Sequence, residues 1–167
     1  MASTTLVIWL FTAAGGLYMM GVSVGFGRPV GEPANTHWPS WLMFAHPSLA
    51  VGGIAVWIVY MVNGERALAW VAFADLVLVA ALGDVLLVTW LKDRRAERRA
   101  VQGGAVKEVK NYVPRPEQGQ IRPEAPETVP VTALEERRIP SVAVAAHGLL
   151  AVLTIVLVLL SALGVGS

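Results

Sequence analysis

Residues 67–99 read ALAWVAFADLVLVAALGDVLLVTWLKDRRAERR. The first part, Ala67 to Leu91, is an apolar run interrupted by two aspartates, and a cluster of Lys and Arg follows it directly. An α-helix needs about 20 residues to cross a hydrocarbon core about 30 Å thick, and this run is long enough. Basic residues gather at the cytoplasmic end of a membrane helix. The stretch therefore predicts a membrane-spanning helix whose C-terminal end faces the cytoplasm.

Three further apolar runs have the length of a membrane span: Thr5 to Phe26, Trp41 to Val62, and Ser141 to Gly164. The residue alternation of a β-barrel is absent, and in lipid only helices or closed barrels satisfy their backbone hydrogen bonds. We therefore expect an all-α polytopic membrane protein, a four-transmembrane-helix up-and-down bundle. Residues 1–91 hold the first three helices, and residues 140–167 hold the fourth.

The composition points the same way. The chain has 167 residues, of which 55% are hydrophobic and 15% charged, with net charge +1 and no cysteine. Soluble domains carry about 25% charged residues, so a soluble enzyme domain is excluded. The missing cysteines exclude disulfides and thiolate metal sites, and the balanced charge gives no basis for nucleic-acid binding. Arg outnumbers Lys ten to three, and Ala, Val and Gly are abundant. This composition indicates a GC-rich bacterial coding bias, and we expect the bacterial plasma membrane.

Most of the charged residues lie in the connection at 92–139, which begins with the basic cluster and continues with five prolines between Tyr112 and Pro130. Such a segment buries too little apolar surface to fold alone, which predicts a cytoplasmic linker. A docking peptide for a partner is the alternative, because loops this long are uncommon without a role. Both termini then face outward. Trp57 and Trp70 are predicted to anchor the outer membrane interface.

Ionisable residues inside a span are costly and mark functional sites. At 1.5 Å per residue, His46 lies about 9 Å from the cytoplasmic end of its helix, and His147 and Asp84 lie about 10 Å from theirs. Three ionisable side chains from three helices are therefore predicted at one depth. Asp75 lies nearer the midplane, and its separation from Asp84 of about 2.5 turns predicts opposite helix faces.

The second and fourth helices occupy diagonal corners of an up-and-down bundle, so the two histidines can face each other across its interior. This is the arrangement of a bis-histidine b-type haem. We expect His46 and His147 as the axial ligands and Asp84 as the acceptor that fixes an imidazole tautomer. Four arginines near the cytoplasmic boundary are candidates for the haem propionates: Arg94, Arg95, Arg137 and Arg138.

Two other functions stay open. His46, Asp84 and His147 form a donor set suited to Zn²⁺, Fe²⁺ or Mn²⁺, as in a transition-metal or proton pathway. The third hypothesis is a structural accessory protein without a cofactor. No hydrolase or phosphate-binding motif is present, so enzymatic activity is not favoured. The expected partners are membrane lipid together with copies of the chain or the subunits of a larger membrane complex.

Three stretches carry a resemblance to a known group: HPSLAVGGIAVWIVYM at 46–61, AWVAFADLVLVAALGD at 69–84 and HGLLAVLTIVLVLLSALG at 147–164. They resemble the helices of small bacterial four-helix integral membrane proteins that have no assigned activity. The resemblance covers the last three helices. It implies the fold and the membrane location, and it implies no activity, cofactor or ligand residue.

Overall fold

The computed structural model describes residues 1–26, 38–102 and 139–165, and these residues form four helices. Their bounds are α1 Ala2–Ser23, α2 Ser40–Asn63, α3 Arg66–Gln102 and α4 Ser141–Ala162. Each is long and apolar enough to cross a membrane. The predicted all-α class with four potential membrane spans is thus confirmed. The Pro-rich part of the long connection, with Arg137 and Arg138, lies outside the described residues.

Glycines end two of the helices earlier than predicted. The first helix was expected to reach Phe26, but Gly25 takes a left-handed conformation with φ of 83°. The Phe26 N–H then bonds the Gly21 carbonyl at 2.8 Å, which closes the helix end. Gly164, with φ of 85°, ends α4 in the same way. A residue without Cβ adopts this conformation at no steric cost, and it satisfies carbonyls that the helix leaves open.

The third helix runs past the predicted end of its membrane span at Leu91. The charged stretch LKDRRAERRAVQ at 91–102 was a candidate extension of this helix, and α3 does continue to Gln102. Arg94 on this extension donates to the Ile139 carbonyl at 2.8 Å and lies 4.9 Å above the Trp90 ring. These contacts join the end of α3 to the residues that lead into α4.

The helices pack in the order in which they follow one another. α1 contacts α2, α2 contacts α3, α3 contacts α4, and α4 closes the ring against α1. Over the described residues, the pairs α1–α3 and α2–α4 have no close backbone approach, which makes them the diagonal pairs. The two histidine-bearing helices are therefore diagonal.

The half of the bundle near the α2–α3 turn is filled by a packed core. Its buried members are Trp9, Trp57, Ala69, Ala72, Leu76, Val158 and Ala162. Trp57 has no exposed surface, and its Nε1–H donates to the Ala2 carbonyl at 3.2 Å. The prediction that Trp57 anchors the membrane interface is therefore wrong, because its N–H finds a partner inside the bundle. Trp70 is 44% exposed.

Candidate functional site

The other half of the bundle, toward the long connections, contains the two histidines. His46 projects from α2 and His147 from α4, and their ring centres lie 6.3 Å apart with an interplanar angle of 60°. Both side chains are partly buried. Residues a hundred positions apart in the sequence thus meet across the diagonal, as their equal depth led us to expect.

A backbone carbonyl of a neighbouring helix fixes each imidazole ring. His46 Nδ1 lies 3.0 Å from the Val79 carbonyl on α3, and His147 Nδ1 lies 2.9 Å from the Thr12 carbonyl on α1. A carbonyl oxygen only accepts, so Nδ1 carries a hydrogen in each ring, and in the neutral form of the ring Nε2 keeps its lone pair. This is the tautomer and the type of support that metal-ligating histidines use.

A glycine beside each carbonyl makes room for the ring. An ideal Cβ on Gly16 would lie 3.1 Å from His147 Cε1, and one on Gly83 would lie 3.1 Å from His46 Cε1. Real Cβ atoms rarely come this close. Gly16 and Gly83 each lie one helical turn after the carbonyl that accepts the hydrogen bond. Each half of the site is therefore one histidine, one carbonyl and one glycine.

A cavity of about 430 Å³ surrounds the two rings and is lined by all four helices. Ligand-binding cavities commonly measure about 300–1,000 Å³ and are mainly apolar with a few polar groups. The lining here is mostly Ala, Val, Leu, Met and Trp, and the imidazoles are among its few polar groups. The cavity therefore suits a largely apolar ligand that also carries a metal ion or a hydrogen-bond donor for the imidazole nitrogens.

An internal sequence repeat, which is independent of the depths of the histidines, also indicates this arrangement. Residues 39–54 read PSWLMFAHPSLAVGGI, and residues 140–155 read PSVAVAAHGLLAVLTI. Half of the aligned positions are identical, and the histidines fall on each other within Ala-His-x-x-Leu-Ala-Val. Residues 12–16 (TAAGG) and 79–83 (VAALG) match in the same manner. The helical hairpin α1–α2 is thus repeated as α3–α4.

The repeat extends to the shape of the site. Each histidine packs against a helix of the opposite hairpin, and the cavity lining falls into equivalent pairs. Three pairs of small or histidine residues illustrate this: Ala13 and Ala80, Gly16 and Gly83, His46 and His147. The paired lining indicates an approximate two-fold axis along the bundle. Membrane proteins with parallel repeats show such an axis along the membrane normal.

Asp84 does not hold either imidazole at Nδ1. Its side chain is exposed at the edge of the cavity, and backbone carbonyls occupy the position expected for it. The predicted tautomer-fixing role of Asp84 is therefore wrong. Within the described ranges, no three His, Asp or Glu side chains group closely enough to hold a metal ion. The expected set of His46, Asp84 and His147 is not assembled.

The arginines divide into three cases. Arg94 lies at the end of the cavity, where its contacts Trp90 and Ile139 both belong to the lining. Its Nε is buried and has no hydrogen-bond partner among the described residues. Arg95 is exposed on α3. Arg137 and Arg138 lie outside the described residues.

No family model, no curated protein and no solved structure matches this chain.

Proposed function

We propose that this protein is a small b-type cytochrome of the bacterial plasma membrane. It binds one haem b between His46 and His147 and serves as an electron-transfer subunit of a membrane complex. The observation that carries the proposal is the pair of imidazoles fixed through Nδ1, with free Nε2 atoms, at a spacing of 6.3 Å inside an apolar cavity.

The spacing suits two axial ligands of one iron. An imidazole nitrogen lies about 2 Å from a bound first-row metal and about 1 Å from its own ring centre. Two rings on opposite sides of one metal therefore have centres about 6 Å apart. The observed 6.3 Å agrees with that value. Among the described residues, no third His, Asp or Glu lies close enough to share a metal ion with the two histidines. A bare ion takes at least three protein ligands as a rule, so this donor set favours haem.

The symmetry of the cavity also suits a tetrapyrrole. A haem has nearly equivalent faces, and a haem bound in this cavity would be held by His46 on one face and by His147 on the other. Gly16, Gly83 and the paired alanines keep the flanking α1 and α3 surfaces shallow. The repeated hairpin would thus present similar surroundings to both faces of a planar ligand.

One end of the cavity fits the propionate groups on the polar edge of a haem. Arg94 has a buried Nε without a partner in the described part of the chain, and a propionate would accept from it. Haem held by two imidazoles supplies reversible one-electron transfer. The basic residues at this end favour a cytoplasmic position for it, with both termini outside and the site nearer the cytoplasmic surface.

The test is a reduced-minus-oxidised visible difference spectrum of the detergent-purified protein, expressed with a supply of haem. The wild type is expected to show a Soret band and a sharp reduced α-band. His46→Ala and His147→Ala are each expected to abolish or broaden that spectrum, because one axial ligand is lost. His37→Ala, which removes the remaining histidine of the chain, serves as the matched control and should keep the wild-type spectrum.

A colourless, correctly inserted wild-type protein would contradict the proposal. So would a haem spectrum that both histidine-to-alanine variants retain. In either case the accessory function becomes the better account.

A further inference from the structure

A second polar group lies in the interior of the same helix pair. Asp75 precedes Val79 by one turn of α3, so it lies on the helix face whose carbonyl bonds His46, about 6 Å along the axis. Its carboxyl packs against Gly53 of α2. Gly53 itself lies two turns after His46 on the same face of α2. The α2–α3 interface therefore carries both the imidazole and the carboxyl.

Gly53 forms a cradle for this carboxyl. A Cβ on Gly53 would overlap the Asp75 Oδ2 atom and would lie 2.9 Å from Trp9 Cζ2. A Cβ on the neighbouring Gly52 would meet nothing within 4 Å. The Asp75 carboxyl thus occupies the space that a side chain at position 53 would need.

Comparison of the two repeats shows that only one of them has a carboxyl group at this position. In the other hairpin, Ile8 takes the position of Asp75 and Thr154 takes the position of Gly53. Thr154 forms a hydrogen bond of 3.4 Å with Thr12 and uses no ionisable group. The chain therefore departs from its internal symmetry by carrying one ionisable group at one of the two interfaces that hold a histidine.

In the described part of the chain, the helices packed against α3 bring no Lys or Arg to Asp75. Oδ2 is buried and has no hydrogen-bond partner among the described residues. The titratable groups on the packed helices are His46 and Tyr60 on α2, His147 on α4 and Tyr18 on α1. On α3, Arg66 and Asp84 are each more than two turns away. An uncompensated carboxylate in the hydrocarbon region is costly, and a bound proton removes that cost.

We propose that Asp75 is a proton-binding site coupled to electron transfer at the histidine pair, an inference that rests on the haem function proposed above. With two neutral imidazoles, the oxidised iron centre has one positive charge more than the reduced centre, and that charge stabilises the carboxylate. When an external one-electron donor reduces the centre, Asp75 takes one proton from water onto its carboxylate. On reoxidation, the electron leaves to an acceptor and the proton returns to water.

The test is the reduction potential of the haem-loaded protein as a function of pH. For one electron coupled to one proton, the potential falls by about 59 mV for each tenfold fall in proton concentration. In the wild type, the reduction potential should fall with rising pH over some interval, with a slope that approaches this value. Asp75→Asn keeps the shape but cannot ionise, so its potential should be independent of pH there. Glu65→Gln is the matched control, because it removes an exposed carboxylate in the α2–α3 turn, outside the helices, and it should retain the wild-type slope.

A potential in Asp75→Asn with the wild-type slope would overturn the inference and leave the haem function intact. A wild-type protein that binds no haem would overturn both. If Asp75→Asn does not assemble, infrared difference spectra of the wild type on electrochemical reduction decide the matter. A carboxylic-acid carbonyl band that appears on reduction and shifts in D₂O supports the inference, and its absence overturns it.

Discussion

Three atoms from three residues set the position of each imidazole ring of the site. For His147 they are its own Nδ1, the Thr12 carbonyl oxygen at 2.9 Å and the α-carbon of Gly16. The carbonyl fixes the ring tautomer, and the glycine allows the ring to approach the helix closely enough to reach it. Replacing the carbonyl by mutation is not feasible, but the glycine can be changed.

Gly16→Ala and Gly83→Ala are expected to weaken haem binding by about 10–100-fold, the usual cost of disturbing the support of a metal ligand. The added methyl group would lie 3.1 Å from a ring carbon, so the imidazole must move by a few tenths of an ångström away from the helix that supplies its carbonyl. Haem titration followed by absorbance measures the effect. Gly52→Ala is the control, since its methyl group meets open space. Equal affinities for all three variants would show that the glycines do not position the rings.

The sequence predicted the two histidines but misplaced the role of Asp84. Depth along a helix follows from residue number at 1.5 Å per residue, so the equal depths could be calculated in advance. The side of a helix that faces a partner depends on how the helices are rotated in the bundle, and depth contains no such information. Backbone carbonyls are present at every residue and leave no mark in the sequence, so the true partners of Nδ1 could not be predicted.

At the scale of elements, two antiparallel interfaces hold the site. The α1–α4 interface contains the His147 contact and the Thr12–Thr154 hydrogen bond, and the α2–α3 interface contains the His46 contact and the Asp75–Gly53 contact. Since each interface joins one hairpin to the other, packing at these interfaces sets the distance between the histidines.

Gly53→Ala is expected to destabilise the bundle by about 1–3 kcal/mol, the usual cost of overpacking. The methyl group overlaps the Asp75 carboxyl and crowds the Trp9 ring. Unfolding of the purified protein in a denaturing detergent series measures the change. The double variant Gly53→Ala/Asp75→Ala should recover part of the loss, because only the Trp9 contact remains. Gly52→Ala should be neutral or slightly stabilising. A Gly53→Ala variant as stable as that control would show that Gly53 is not needed to make room for the Asp75 carboxyl.

Helix existence could be predicted from apolar length, whereas helix ends and faces could not. The runs of 20 or more apolar residues required helices in lipid. The early end of α1 depends on the conformation of Gly25, and the extension of α3 depends on helix propensity in a charged segment. Trp57 illustrates the difficulty with faces, because an indole near a helix end suits the membrane interface and the bundle core equally well.

At the scale of the whole molecule, the bundle divides into a tightly packed half and a half with a cavity. Trp9 and Trp57 pack with ring centres 6.2 Å apart in the first, and the imidazoles lie in the second. The repeated hairpin explains why the cavity lies on the bundle axis, since an approximate two-fold axis places equivalent residues on opposite sides of it.

The proposed orientation can be tested with introduced cysteines, because the natural chain has none. A single cysteine at Gly64, in the α2–α3 turn, should react with a membrane-impermeant thiol reagent added to intact spheroplasts. A single cysteine at Gln118, in the long connection, should react only after the membrane is opened. The positive-inside distribution of Lys and Arg is the reason for this expectation. The reverse labelling pattern would show that the long connection faces outward.

The most direct measurement of the central claim is a haem titration of the purified wild-type protein, with the spectrum recorded in both oxidation states. We expect saturation at one haem per chain and a six-coordinate low-spin spectrum in both states, as two imidazole ligands require. Binding without a defined stoichiometry, or a high-spin spectrum at saturation, would contradict a haem held between His46 and His147.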